Sequence, residues 1–363
     1  MSAENEELRE LAASIFAEAS TSGVGFDKTL WETLDESGLA RLTLPESAGG
    51  SEGTLVDAAV LLTEAGAHAA RVPLVETDLL AGWLLAEAGI PLPDGPLTAV
   101  QGAVEVDGDR VAGTLHRVPW ARAAAGLAVL TPTHVVLLDP ATLEITDGAN
   151  LAEEPRDTVV AGGPGERRSG SDRAGAVDER ALVAGRGVSA VALAPAPFGA
   201  AAEFRLRGAL GRAQLSAGAA RTALAGSVRY ATEREQFGRP IGRFQAVQQS
   251  LALAAAEVAA ASAAASAAAA TADADGFTAR STWLAVAAAK ARTSEAAGAV
   301  ARIAHQVHGA IGFTREHDLR LATTRLWAWR DEDGSDAEWN AEVGRLFLAA
   351  GPDALWPLIT GTP

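Results

Sequence analysis

The spacing of apolar residues changes twice along this chain of 363 residues and predicts three regions. From residue 1 to about 95, apolar residues recur every three or four positions, as expected of helices that bury one face. The first two predicted helix faces are Leu8, Leu11 and Ile15, and Phe26, Leu30 and Leu34. From about 199 to 363 the helical spacing returns in long alanine-rich segments, whose small side chains allow helices to pack closely in a bundle.

The middle region, from about 96 to 198, has short apolar runs separated by Gly, Pro and Asp. The runs at 97–100, 127–130 and 135–138 have the length of strands, so we predict a small β domain. The stretch 162–187, rich in Gly, Arg, Ser and Asp, is predicted to be a mobile loop. Helices, then strands, then helices give an expected fold class of α+β with three domains.

The composition limits the possible partners and chemistry. The net charge of −16 argues against nucleic acids and anionic membranes as partners. The chain has no cysteine, which excludes disulfides, thiol catalysis and thiolate-bound metal. The acidic start of the chain does not resemble a signal peptide, and the alanine-rich stretch 251–270 is only weakly apolar and contains Glu257. We therefore expect a cytoplasmic protein.

Arg234 is predicted to lie at a corner between two helices. The segment 203–233 has helical character, and Pro240 prevents its continuation. An arginine at such a corner can point outward, and its fork of donors matches phosphate oxygens. From the residues alone, the alternative is an ordinary surface ion pair with Glu233 or Glu235.

The run YATEREQFGRPIGRFQAVQ, from Tyr230 to Gln248, closely resembles a flavin-binding segment of the acyl-CoA dehydrogenases. The run HQVHGAIGFT, from His305 to Thr314, resembles the other such segment, in the family's order and at about its separation. A small departure is Ala310, where the family usually has a second glycine. The resemblance implies that the following residues contact the FAD of a neighbouring subunit: Arg234, Gln236, Phe237, Gln245, Gln306, Val307, His308, Gly309 and Ala310.

In that resemblance, Arg234 reaches the pyrophosphate and the segment 306–310 lies against the adenine side. His305 and His308 share one helix face and invite a metal interpretation. No third ligand follows at a convincing spacing, so we predict no metal site.

The resemblance also implies a carboxylate base that removes a proton from the acyl α-carbon while hydride leaves the β-carbon for the flavin. Ungapped counting places Asp333 and Gly334 at the family's catalytic Glu-Gly, which makes Asp333 the candidate base and Glu332 the nearest alternative. From the residues alone, the acidic cluster 331–336 could instead be solvated. Other family members place the base on an earlier helix, and that position falls here near Gly208, which is no base.

The middle region departs from the family at the flavin wall. Where the family usually has a Ser or Thr that contacts the flavin ring, the stretch 118–121 reads VPWA. Pro119 offers neither a hydroxyl nor a backbone donor, although Trp120 could lie against the ring. The acidic segment that usually precedes it is not recognisable in 97–106.

The resemblance implies an FAD-dependent acyl-CoA dehydrogenase subunit that oxidises an acyl-CoA thioester to the 2,3-enoyl-CoA and passes electrons to an electron-transfer flavoprotein. Because the departures affect the flavin wall and the base, the alternative is a non-catalytic companion subunit of a heteromeric enzyme, of the kind found in bacterial breakdown of steroid side chains. A third interpretation is a helical scaffold or binding protein without flavin. The implied assembly is a homo- or hetero-oligomer, with helices between about 203 and 310 at the interface.

Overall fold

A computed structural model of the protein describes residues 3–19, 24–162 and 187–360. The N-terminal region is helical, as the periodicity predicts. Its helices are α1 (Ala3–Glu18), α2 (Lys28–Glu36), α3 (Leu55–Ala67) and, after a π-helical stretch (Val75–Gly82), α4 (Trp83–Glu87). Asp27 caps α2 by accepting from the Leu30 amide, and Thr54 with Asp57 forms a capping box on α3.

The predicted face of α1 is only partly correct. Its buried residues are Ala12 and Phe16, whereas Leu11 is 49% exposed. The buried side of this helix is therefore rotated away from Leu11. In the second predicted face, Leu30 and Leu34 are buried as expected.

The middle region consists of strands that form two sheets, which confirms the predicted β region. One sheet has the order β1 (Leu97–Gln101), β4 (Gly126–Leu130), β5 (His134–Leu138), β9 (Ala192–Pro195), with β1 and β4 parallel and the other pairs antiparallel. The other is antiparallel, in the order β2 (Glu105–Asp107), β3 (Arg110–Pro119), β7 (Arg156–Ala161), β6 (Glu144–Thr146), with β8 (Val188–Ser189) also paired to β3. Apolar side chains of both sheets share one core. The mobile loop predicted at 162–187 falls almost entirely outside the described residues.

The C-terminal region is a helical bundle. Its helices are α5 (Ala200–Glu233), α6 (Gln245–Asp275), α7 (Arg280–His308), α8 (Leu319–Trp329), α9 (Asp336–Ala350) and α10 (Leu355–Thr360). A small hairpin, β10 (Glu235–Gln236) and β11 (Arg239–Pro240), separates α5 from α6. Short 3-10 turns lie at Glu46–Ala48, Ala121–Ala123, Pro140–Thr142, Ile241–Arg243, Gly309–Phe313 and Pro352–Ala354.

Small residues bring the N-terminal region and the bundle into close contact. A Cβ on Gly218 of α5 would lie 1.9 Å from the carbonyl oxygen of Thr63 on α3, and a Cβ on Gly66 would lie 2.1 Å from that of Leu215. Neither position admits a side chain without moving backbone. Glycine is therefore required where α3 crosses α5.

Among the described helices, α6 is long and apolar enough to cross a membrane by length and composition, with a mean hydropathy of 1.6 over the most apolar stretch. Its buried side packs with apolar residues of α5 and α7, while only 28% of that stretch is buried in the chain. The helix thus presents a largely uncovered apolar surface outside the bundle.

Candidate functional site

The two segments that resemble flavin-binding motifs meet at one end of the bundle. The ring of Tyr230, near the end of α5, stacks on the ring of His308, the last residue of α7, with centroids 4.4 Å apart. Ile303 and Val307 of α7 are buried in an apolar cluster that residues of α5 and α6 complete. The two motifs, far apart in sequence, therefore share one surface.

Backbone hydrogen bonds fix the corner that carries Arg234. The amide of Arg234 donates to the carbonyl of Tyr230 at 2.8 Å and ends α5, and the amide of Ile241 donates to the carbonyl of Arg234 at 2.8 Å. At the hairpin tip, Phe237 has φ 52° and Gly238 has φ 75°, a left-handed pair that suits a two-residue turn. The corner is therefore a defined turn, as the sequence predicts.

The side chains of several predicted flavin contacts are exposed at this surface: Arg234, Gln236, Phe237, Gln245 and Gln306. Within the described ranges, no carboxylate lies within ion-pair distance of Arg234, so the alternative pairing with Glu233 or Glu235 is absent. A guanidinium without a counter-ion at an exposed corner is suited to an anion.

Val307 and His308 have buried side chains, at 8% and 5% exposure, so they could reach a ligand only through their backbone. After them, Gly309 at φ 63° and the exposed Ala310 leave main chain accessible. Flavin contact by these residues stays a prediction.

The two histidines serve packing. His305 stacks on Trp327, with centroids 5.1 Å apart, and its Nε2 lies 3.0 Å from the Thr323 hydroxyl. His308 donates from Nδ1 to the Ala304 carbonyl at 2.8 Å. Burial lowers the pKa of both rings, which favours their neutral form. No group of three or more His, Asp or Glu that could hold a metal occurs in the part of the chain that the structure describes.

Asp333 lies beside Gly208 of α5, near which the family's earlier base position falls by sequence. Its Oδ1 is 2.6 Å from the point where a Cβ on Gly208 of α5 would stand. Asp333 has φ 54°, its carbonyl accepts from the indole of Trp339 at 2.9 Å, and its side chain is 23% exposed. Gly208 and Asp333, the two positions that the resemblance suggests for a base, are therefore neighbours in this chain.

Arg212 of α5 holds the Asp333 carboxylate. Its Nε donates to Oδ2 of Asp333 at 2.9 Å, and its Nη2 donates to Glu76 at 2.5 Å. Glu332 lies 3.5 Å from the same Nε. Although burial opposes the charged form, Glu76, Glu332 and Asp333 raise the pKa of Arg212 well above its usual range. The sequence-predicted base is thus one of three carboxylates around a buried arginine.

Glu332, the nearest alternative base, is excluded by its own ion pairs. Arg156 donates to it from Nε at 2.9 Å and from Nη2 at 2.6 Å, and Asn150 donates at 3.0 Å. Although burial would raise it, Arg156 and Arg212 lower the pKa of Glu332 to about 2. Such a group stays ionised and does not serve as a base near neutral pH. A solvated acidic cluster is also wrong for Glu332, which is 11% exposed, but fits Asp331, which is 64% exposed.

A cavity of about 490 Å³ adjoins this network, between the β region and α5. Asp333 and Pro119 both line it, together with charged and apolar residues: Leu80, Ala99, Val100, Gln101, Arg117, Arg156, Phe204, Arg205, Arg212, Asp331, Glu332, Gly334 and Glu338. Trp120 does not line this cavity. It is 3% exposed and faces a small internal gap beside Trp329, so the expectation that Trp120 could lie against a flavin ring is wrong.

Comparison with known protein families shows which family the chain belongs to. The family model for the acyl-CoA dehydrogenase N-terminal domain matches residues 4–91, and that for the C-terminal domain matches residues 200–337. The chain belongs to the acyl-CoA dehydrogenase family. Acyl-CoA dehydrogenase IpdE2 of Mycobacterium tuberculosis is 33% identical over 333 residues, covering 88% of this chain and 89% of the relative. IpdE2 of Mycolicibacterium smegmatis is 30% identical over 344 residues, covering 88% and 91%.

Solved structures of acyl-CoA dehydrogenases share the fold. The ChsE4-ChsE5 complex from Mycobacterium tuberculosis has a chain that matches with a TM-score of 0.81 at 23% identity, covering 97% of this chain and 99% of that one. A chain of a variant of the Tcur3481-Tcur3483 steroid acyl-CoA dehydrogenase matches with a TM-score of 0.78 at 25% identity, covering 96% and 98%.

The acyl-CoA dehydrogenase fold is FAD-dependent, and the residues of this chain fit one half of FAD better than the other. The unpaired guanidinium of Arg234 and the exposed amides of Gln245 and Gln306 suit phosphate and adenine. At the cavity wall, Pro119 has no amide hydrogen, and its carbonyl already accepts from the Thr98 hydroxyl. Pro119 therefore offers no hydrogen-bond donor to a flavin ring placed at this wall of the cavity.

Two residues of the network around Asp333, Arg212 and Glu76, were not predicted from the sequence. Arg212 stands among apolar residues of a helix, and Glu76 stands between Val75 and Thr77 before a leucine pair. Charged residues at otherwise buried positions are usually paired, so each was a signal that it had a partner. Which partner it had depended on tertiary contacts.

Proposed function

We propose that this chain is the companion subunit of a heteromeric acyl-CoA dehydrogenase. In this role, the corner at Arg234 contributes phosphate contacts to the FAD of a neighbouring catalytic chain. The reaction is the α,β-dehydrogenation of an acyl-CoA thioester to the 2,3-enoyl-CoA. FAD supplies the hydride acceptor for that reaction, and this chain binds and positions it.

The pairing of Asp333 with Arg212 carries the proposal. A general base must accept a proton during turnover. Protonation of Asp333 would remove one of the negative charges that balance the guanidinium of Arg212, whose side chain is only 4% exposed. Leaving a buried cation short of partners is costly, so this arrangement favours a structural carboxylate.

The residues that the resemblance places near FAD also support a companion role. Among the described residues Arg234 has no counter-ion, and its side chain is accessible to a neighbour, whereas Pro119 offers no backbone donor to the chain's own cavity. The uncovered apolar face of α6 supports an oligomer, because a contiguous apolar surface on one helix is typical of an interface. A site shared between two chains explains both the exposed cation and the exposed helix.

The relatives support a substrate class and an assembly. The names of two solved neighbours describe complexes of two proteins, ChsE4-ChsE5 and Tcur3481-Tcur3483, and the second is described as a steroid acyl-CoA dehydrogenase. We therefore propose a bulky, ring-bearing acyl-CoA as substrate. We further propose an electron-transfer flavoprotein as electron acceptor and the cytoplasm as location.

A second candidate function is catalysis by this chain with Asp333 as base. One observation favours it: the Asp333 side chain lines the 490 Å³ cavity and is 23% exposed, so a substrate could reach it. In this role the Asp333 carboxylate would remove the proton from the acyl α-carbon, the step that the family resemblance implies for a base.

The substitution Asp333→Asn separates the two functions. The chain is co-expressed with acyl-CoA dehydrogenase homologues from the same organism, and anaerobic bleaching of the flavin by straight-chain and ring-bearing acyl-CoA thioesters is followed. A companion subunit predicts near-equal bleaching rates for the variant and wild type. A catalytic Asp333 predicts a loss of about 10²- to 10⁴-fold with retained FAD. The matched control is Asp331→Asn, a neighbouring carboxylate that is 64% exposed.

A further inference from the structure

A second cavity, of about 240 Å³, lies where the three regions of the chain meet. Gly25, Ala69 and Arg71 line it from the N-terminal region, residues 151–154 from the β region, and residues of the segment 313–325 from the bundle. It shares no lining residue with the 490 Å³ cavity and does not include Arg234. It is therefore a separate place in the molecule.

Arginines dominate the charge of this cavity, although the whole chain is strongly acidic. Its charged lining residues are Arg71, Arg315, Arg320, Arg325, Glu153 and Glu154. Glu153 pairs with Arg315 at 3.4 Å, and Arg71 pairs with Asp27 at 3.2 Å. Glu154 also accepts from the indole of Trp329. The positive lining is thus only partly compensated.

Arg325 is the most buried of these arginines. It is 2% exposed, and its Nη1 donates to the Leu321 carbonyl at 3.0 Å. Its buried Nε lies 3.3 Å from a Glu154 oxygen but makes no hydrogen bond. Burial lowers the pKa of Arg325, and although Glu154 raises it, Arg71 and Arg320 lower it further. The Nε of Arg325 therefore lacks a hydrogen-bond acceptor, although Glu154 lies within ion-pair distance, and the nearby arginines repel the guanidinium.

Arg320 adds a second guanidinium with spare donors. Its Nε donates to the carbonyl of Arg315 at 3.1 Å, and within the described ranges it pairs with no carboxylate. Arg320 and Arg325 lie on α8, and both line the cavity. Two arginines of one helix thus line the same cavity.

We infer that this arginine-lined cavity binds a phosphoryl group. The guanidinium fork matches phosphate oxygens. The four lining arginines exceed the three carboxylates that pair with them, Glu153, Glu154 and Asp27, so the lining keeps a net positive charge that suits an anion. The volume admits a phosphate together with part of the molecule that carries it. The ligand is either free phosphate or a phosphate monoester, and both have the same recognition chemistry.

Titration calorimetry of the purified assembly tests the inference. Inorganic phosphate and adenosine 5′-monophosphate are the two probes, at an ionic strength held constant with sodium chloride. We expect saturable binding of at least one probe, and tighter binding of the ester would identify an ester as the source. Arg320→Gln is expected to weaken binding about tenfold or more, because it removes charged donors without emptying the core. Arg345→Gln is the control, because Arg345 is 65% exposed and lies on α9.

Three outcomes would overturn the inference. The first is the absence of saturable binding for both probes, and the second is an equal effect of Arg320→Gln and Arg345→Gln. The third is a loss of phosphate binding in Arg234→Ala, which would show that the probe occupies the flavin corner. The expected result is the reverse: Arg234→Ala loses FAD and keeps phosphate binding, and Arg320→Gln keeps FAD.

Discussion

Lys290 donates from Nζ to the carbonyl oxygen of Gly334 at 2.7 Å, although its side chain is only 1% exposed. The same Nζ donates to the carbonyl of Arg330 at 2.9 Å and to the Ser294 hydroxyl at 3.0 Å. One buried ammonium on α7 thus closes the turn that carries Asp333. The turn that resembles the catalytic segment is held from the bundle side by Lys290 and from α5 by Arg212.

Lys290 is expected to make stability depend on alkaline pH. Burial lowers its pKa to about 8, although nearby carboxylates such as Asp333 raise it, whereas lysine in an unfolded chain titrates above about pH 10. Between these values the unfolded chain binds more protons, so the free energy of unfolding rises with pH. Lys290→Met should remove that rise in urea unfolding followed from pH 7 to 10. Lys28→Met, at a side chain 80% exposed, should keep it, and identical slopes in the two variants would contradict the assignment.

Glu332 is expected to contribute to stability in the acid range. Its pKa of about 2 lies below the usual value near 4.5, so the contribution is complete above about pH 4.5 and is lost as pH falls towards 2. The difference corresponds to about 3 kcal/mol. Glu332→Gln should unfold more readily at pH 6 and show a flatter acid dependence than wild type, measured by denaturant unfolding. An unchanged acid profile would remove Glu332 from the ion-pair network.

Arg234→Ala is expected to weaken FAD retention in the assembled protein without unfolding it, because the side chain is exposed and makes no ion pair within the described part of the chain. Loss of a charge-assisted contact to phosphate costs roughly 1.5–3 kcal/mol. The flavin absorbance that remains after dialysis measures the effect. Arg345→Ala controls for loss of a surface charge, and equal flavin content in both variants would count against the proposed phosphate contact.

Leu253→Arg is expected to disrupt the assembly, because Leu253 is 59% exposed on the apolar surface of α6. A charge at an interface core is unfavourable unless it is paired. Light scattering should show a smaller particle with less flavin. Leu348→Arg, on α9 and 85% exposed, tests the same change outside the expected interface. A flavin-loaded monomer in wild type would contradict the shared site.

The sequence predicted the features that depend on local patterns. The strand runs at 97–100, 127–130 and 135–138 fall in β1, β4 and β5, and the corner at Arg234 is a turn because Gly238 and Pro240 prevent the helix from continuing. Gly208, which falls near the family's earlier base position by sequence, lies beside Asp333 in the structure, and its match to that base position stays a prediction. The family resemblance is confirmed by the family models.

The remaining features depend on contacts between distant segments. In the predicted face of α1, Leu8 and Ile15 pack against the core, whereas Leu11 is exposed, because an apolar residue fits the helical spacing equally well with or without a partner. Trp120 is buried just after β3, and its φ of 54° is a backbone conformation that no composition rule indicates. The acidic cluster resembled a solvated segment because the two arginines that pair with Glu332, Arg156 and Arg212, lie more than a hundred residues earlier in the sequence.

The guanidinium of Arg212 joins Glu76 on the π-helical stretch to Asp333 near the far end of the chain. A change at any of these three positions alters the charge balance of the other two. Freeing the carboxylate at 333 for proton transfer would require replacing Arg212, and that replacement would strand Glu76, which is 2% exposed. In the proposed companion role, conversion of this chain into an independent catalyst would therefore take a coordinated set of substitutions, because single changes at these positions would each destabilise the protein.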